Sequence, residues 1–156
     1  MPKSSRPCVL CVDDNEDACE VLSLVLNSVG IDATCARSAA AAWKLIKRRR
    51  WDLFILDSWL PGTDGFAFCR EIREFDAVTP ILFYSGAAYD TDKQEGFAAG
   101  ANAYVTKPNV DGLIEKTLAL IPKANAAPVE AEMQIVPNLT VTDNLFSRFL
   151  MQPMTE

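Results

Sequence analysis

The stretch Leu53-Phe54-Ile55-Leu56-Asp57 decides how this 156-residue chain is read: four consecutive apolar residues, then a carboxylate. An apolar run without alternation suits a parallel strand covered by helices on both faces. Comparable runs are Val9-Leu10-Cys11-Val12, a weaker Ala33-Thr34-Cys35, Ile81-Leu82-Phe83-Tyr84 and Ala103-Tyr104-Val105-Thr106, and a helical pattern follows each. Ala18, Val21, Leu22, Val25 and Val29 keep a helical period, with Gly30 where a left-handed C-terminal cap would sit. Ser38 can cap a second helix that runs through Arg50. A third helix spans about Phe66 to Glu74, and a weakly patterned fourth about Asp92 to Ala99. Val110, Leu113, Ile114, Leu118 and Ile121 stripe a fifth that stops at Pro122. The alternation predicts an α/β fold, (βα)5, with a doubly wound five-stranded parallel sheet in strand order 2-1-3-4-5.

That order places the first, third, fourth and fifth strands side by side and leaves the second at an edge. Ligands of such sheets bind beyond the carboxyl ends of the strands. Asp13 and Asp14 follow the first strand, Asp57 the third, Ser85 the fourth and Lys107 the fifth, whereas Ala36 and Arg37 follow the edge strand. Three carboxylates in one crevice repel one another unless a cation intervenes. Mg2+ suits the set, because it takes oxygen ligands and usually binds through one or two carboxylates plus a phosphate. Lys107 can meet a carboxylate or a phosphoryl oxygen, Ser85 can hydrogen-bond the latter, and an aspartate can form an acyl phosphate. A blander account of any single member is a solvated loop acid or a helix cap, and Asp14 is placed to cap the first helix.

Composition narrows the chemistry further. The chain contains no histidine, which excludes Ser-His-Asp and Cys-His catalysis, histidine-rich zinc sites and phosphohistidine carriers. A net charge of −6 argues against DNA as a partner, since phosphate binding needs a basic face. No apolar run approaches the roughly 20 residues of a membrane helix, so the expected location is cytoplasmic, without membrane contact.

The stretches VLCVDDNED, DLFILDSWLPGTDGFAFCREIR, TPILFYSGA and GANAYVTKP closely resemble the receiver domain of two-component response regulators, a flavodoxin-like, chemotaxis-regulator-like fold. The likeness covers about residues 6 to 122. It implies that Asp57 is the phosphoacceptor, that Asp14 and Asp57 bind Mg2+ directly, that Asp13 assists through water, and that the Trp59 carbonyl completes the protein ligands. It also implies that Ser85 and Tyr104 are the hydroxyl and aromatic switch residues, that Lys107 is the site lysine, and that Lys107-Pro108 is a cis bond. The donor it implies is a sensor histidine kinase or a histidine phosphotransfer protein. The output is protein contact, with an unspecified downstream partner or a second copy of the chain. The resemblance marks a signalling phosphoacceptor that catalyses only its own phosphotransfer and slow dephosphorylation.

Two positions depart from the commonest pattern in a way that bears on chemistry. Trp59, two residues after Asp57, is unusually bulky, and Ala87, two after Ser85, offers no side-chain hydrogen bond; both flank the path of a hydrolytic water. Leu60, where methionine is frequent, conserves volume. Two rival readings stay open: a receiver that works unphosphorylated as an interaction or dimerisation module, and an aspartyl-phosphate phosphohydrolase. The second is disfavoured by Trp59, where such enzymes favour another aspartate.

The remaining features are secondary. Cys8, Cys11, Cys19, Cys35 and Cys69 lie in apolar segments and read as reduced, buried thiols. Lys44, Lys47, Arg48, Arg49 and Arg50 read as a solvated cluster favouring the dipole at the end of the second helix. Residues 1–122 form the receiver unit. Residues 123–156 form a linker and extension in which Leu145, Phe146, Phe149 and Leu150 suggest a short helix near 143–151.

Overall fold

In the computed structural model, which describes residues 6–122, the apolar runs form one five-stranded parallel sheet. The elements are β1 (Cys8–Val12), α1 (Glu16–Ser28), β2 (Asp32–Ala36), α2 (Ala39–Ile46), β3 (Leu53–Leu56), β4 (Trp59–Leu60), β5 (Thr63–Asp64), α3 (Gly65–Phe75), β6 (Ile81–Ser85), α4 (Asp90–Ala99), β7 (Ala103–Thr106) and α5 (Val110–Leu120). The sheet order is β2-β1-β3-β6-β7, the predicted 2-1-3-4-5 once the short β4-β5 hairpin is set aside.

Strand pleating sends alternate side chains to opposite faces, and each face builds its own core. Leu10, Val12, Phe54, Leu56, Ile81 and Phe83 pack with Ala42 and Ile46 of α2, Phe68 and Ile72 of α3 and Ala99 of α4. Val9, Cys11, Leu53, Ile55, Leu82 and Val105 pack with Leu22 and Leu26 of α1 and Leu113 of α5. Runs covered on both sides have no polar face to show, which is why they lack alternation.

Several boundaries differ from the sequence reading. The second helix does not reach Arg50: it ends at Ile46, and the Trp51 indole N–H donates to the Leu45 carbonyl at 3.0 Å. Burying the Trp51 ring turns the chain before the cations, so only Lys44 of the basic cluster lies on the helix. Lys47 instead lies 5.6 Å from the Trp43 ring centroid and Arg49 4.8 Å from that of Trp51. α4 starts two residues early, where the Asp92 carboxylate accepts the Tyr89 N–H at 3.0 Å. Asn15, rather than Asp14, caps α1 by accepting from the Ala18 N–H at 2.8 Å. The β4-β5 hairpin turns at Pro61-Gly62, where Gly62 has φ +80°, and hydrophobic period gives no sign of it.

The reading of all cysteines as reduced needs correction. Packing of α1 on β2 brings the Cys19 and Cys35 Cα atoms to 6.0 Å, within disulfide range, and the two are bonded. Cys8, Cys11 and Cys69 are free; burial pushes the Cys11 thiol up to about 12, with Asp13 adding to it, and the Cys69 thiol up to about 11. Gly30 is left-handed, with φ +87°, as its position after α1 predicts. The suggested helix near 143–151 lies outside the described residues, as does the linker.

Candidate functional site

Sheet register assembles the site. Val12 pairs with Leu56, Leu56 with Phe83, and Ser85 with Thr106, so the residues just beyond these ends share one crevice. Backbone bonds pin their positions: Asp57 N–H donates to the Val12 carbonyl at 3.0 Å, and Lys107 N–H to the Ser85 carbonyl at 2.9 Å.

Asp13, Asp14 and Asp57 each present a carboxylate oxygen within 4.8 Å of the others. Asp13 is 2% and Asp57 8% exposed, whereas Asp14 faces solvent. The Lys107 ammonium lies 2.7 Å from Asp13 Oδ2 and 3.6 Å from Asp57 Oδ2. Burial works against the charged lysine, but the hydrogen bond it donates to Asp13 and the charges of both carboxylates outweigh it and hold Lys107 above its ordinary value. Asp57 is also held above its ordinary value, because burial and the Asp13 charge outweigh Lys107, the Ser58 N–H and the Ser85 hydroxyl.

A carboxyl group raised on folding stabilises the protein below its unfolded value, and that contribution is lost as pH rises through the folded one. Asp57→Asn is therefore expected to melt higher than the parent at pH 7 in chelator-treated buffer. The gap should close below about pH 4, where the unfolded carboxyl is also protonated. A gap independent of pH in urea or thermal melts would contradict the raised value.

Ser85 is 2% exposed, and its Oγ accepts from the Ala87 N–H at 3.1 Å. The Tyr104 hydroxyl donates to the Ala87 carbonyl at 2.7 Å, and its ring stacks on Phe83 at 5.6 Å. Ala87, with no side-chain hydrogen bond to give, thus joins both hydroxyl residues through its backbone. The Lys107-Pro108 bond is cis. Trp59 opens β4 with its side chain turned to solvent, 79% exposed.

Three further residues belong to the site. The Ser58 hydroxyl lies 2.6 Å from that of Ser85, and its N–H donates to Asp57 Oδ1 at 2.8 Å. Gly65 opens α3 directly against the Asp57-Ser58 backbone, where a Cβ would overlap the Asp57 carbonyl oxygen and the Ser58 Cα. Gly96 of α4 leaves room for the Tyr104 ring, which a Cβ would meet at 3.0 Å. Register arithmetic offers a signal for Ser58, because a strand pairing of Leu56 with Phe83 carries Ser58 to the level of Ser85. The glycines give no chemical signal in the sequence.

The fold is thus a doubly wound sheet with an acid triad, a lysine and a hydroxyl gathered at its switch point. The family model for the response regulator receiver domain matches residues 9–119. The uncharacterized transcriptional regulatory protein YclJ of Bacillus subtilis (strain 168) is 34% identical over 100 residues, 64% of this chain and 44% of that protein. The chain therefore spans less than half of that relative's length. The receiver domain of Francisella response regulator 1452 matches with a TM-score of 0.70 at 29% identity, covering 74% of this chain and 96% of that one. The Vibrio cholerae chemotaxis protein CheY4 matches with a TM-score of 0.70 at 28% identity, covering 74% and 99%. The chain belongs to the response regulator receiver domain family, whose members are signalling domains of two-component systems. Among the described residues no helix is long and apolar enough to cross a membrane.

Proposed function

We propose that Asp57 accepts a phosphoryl group from the phosphohistidine of a sensor kinase or a histidine phosphotransfer protein, with Mg2+ held by Asp14 and Asp57, by Asp13 through water, and by the Trp59 carbonyl. The observation that carries this reading is the convergence of three carboxylate oxygens within 4.8 Å at the mouth of the sheet, beside one lysine. An all-oxygen donor set of this kind fits a hard, strongly hydrated cation. Bound there, Mg2+ would neutralise charge on the transferring phosphoryl oxygens.

An Asp57 carboxylate oxygen attacks phosphorus, the phosphorus–nitrogen bond breaks, and the imidazole leaves with the electron pair. Lys107 is within reach of the new oxyanion, exchanging part of its contact with Asp13 and Asp57 for it. Ser85 donates to a phosphoryl oxygen, and the Tyr104 ring shifts with it, altering the α4-β7-α5 face for a downstream partner or a second copy of the chain. Titration with Mg2+ followed by tryptophan fluorescence tests the metal part, because Trp59 is two residues from Asp57. A saturable change in the parent that is lost in Asp14→Asn is expected; the same change in both would contradict this ligand set.

Trp59 and Ala87 flank the approach of a hydrolytic water. Trp59→Asn is expected to shorten the acyl-phosphate lifetime several-fold, measured as decay of the adduct mass after donor removal. An unchanged lifetime removes the indole from this role.

A further inference from the structure

Ser58 follows the proposed phosphoacceptor yet does not point away from the site. Its side chain is buried, 7% exposed, and its Oγ lies 2.6 Å from Ser85 Oγ in a contact that either hydroxyl can donate. Counting protons and lone pairs fixes the direction. A serine hydroxyl has one proton and two lone pairs. One lone pair of Ser85 is already taken by the Ala87 N–H at 3.1 Å. The phenol proton of Tyr104 is committed to the Ala87 carbonyl, so Tyr104 offers the serines only a neutral acceptor.

Once Asp57 carries a phosphoryl group, the Ser85 proton chooses between neutral oxygens and the charged phosphoryl oxygens. A charge-assisted hydrogen bond is about twice as strong as a neutral one, so a phosphoryl oxygen takes the proton. Ser58 must then donate to Ser85, filling its second lone pair. The chain then runs Ser58 to Ser85 to the phosphoryl group on Asp57, each bond polarising the next.

We propose that Ser58 is a positioning residue for phosphoryl transfer: with the Ala87 N–H it saturates the lone pairs of Ser85, leaving the Ser85 proton aimed at the oxygens on Asp57. This rests on Asp57 being the phosphoacceptor. In Ser58→Ala the Ser85 hydroxyl is free to rotate and loses the polarising donor.

Uptake from acetyl phosphate in saturating Mg2+, followed by intact mass, tests the proposal in the parent, Ser58→Ala, Ser85→Ala and the double variant, with thermal melts confirming that each is folded. Ser58→Ala is expected to lower the rate at saturating donor about fivefold, the size of one lost hydrogen bond, with half-saturating donor and Mg2+ concentrations unchanged. In the Ser85→Ala background it should cost nothing further, because Ser58 acts through Ser85. An unchanged rate in Ser58→Ala, or an equal loss in the Ser85→Ala background, would overturn the role of Ser58 while leaving Asp57 as acceptor. Absence of any adduct on the parent would overturn the acceptor reading and this inference with it.

Discussion

Lys107→Ala should lower the unfolding free energy by about 2 kcal/mol in Mg2+-free buffer and slow phosphoryl uptake about a hundredfold. The stability loss comes from Asp13, whose 2%-exposed carboxylate has the ammonium 2.7 Å away. Breaking a buried ion pair costs about 3–5 kcal/mol because it strands a charge, and the figure is reduced here because the Lys107 side chain is 26% exposed. Asp57 would rise further above its ordinary value once the ammonium is gone, because Lys107 is what draws it down. Mg2+ supplies replacement charge, so it should raise the variant's melting midpoint more than the parent's. Urea melts with and without Mg2+ decide the matter; equal stabilities of variant and parent would show that the pair is not carrying the buried charge.

Gly65→Ala should be the most damaging single-methyl change at the site. The added carbon would overlap the Asp57 carbonyl oxygen and the Ser58 Cα, which are backbone atoms that cannot rotate away. Overpacking of this kind typically costs about 1–3 kcal/mol, and here the upper end is expected because relief requires moving the start of α3. The bond from Gly65 N–H to the Ser58 carbonyl, 2.8 Å, would stretch with it and displace Asp57 from Asp13 and Asp14. Mg2+ binding should therefore weaken along with stability. Gly86→Ala is the control: its added carbon meets nothing within 4 Å, so stability should change by less than about 0.5 kcal/mol. Equal melting of the two variants would refute the close approach of α3 to the Asp57-Ser58 backbone.

The residues that were legible in the sequence are those whose chemistry and position coincide. Asp13, Asp57, Ser85 and Lys107 are polar groups that end apolar runs, so periodicity alone places them at one edge of the sheet. Ser58 was less visible, because a small polar residue beside an aspartate looks like ordinary loop until the strand register sets it level with Ser85. Gly65 and Gly96 act through the absence of a side chain against a backbone and a ring, which only packing reveals. The Cys19–Cys35 bond depends on how α1 sits on β2, a distance that spacing along the chain does not encode. The second helix ended early for a related reason: propensity would carry it through the cations, but burial of Trp51 takes the chain away.

The proposed function rests on Asp57 alone taking the phosphoryl group. Intact mass after incubation with acetyl phosphate and Mg2+ tests it most directly. A gain of about 80 Da is expected on the parent and none on Asp57→Asn, with both proteins folded. No gain on the parent, or the same gain on Asp57→Asn, would contradict it.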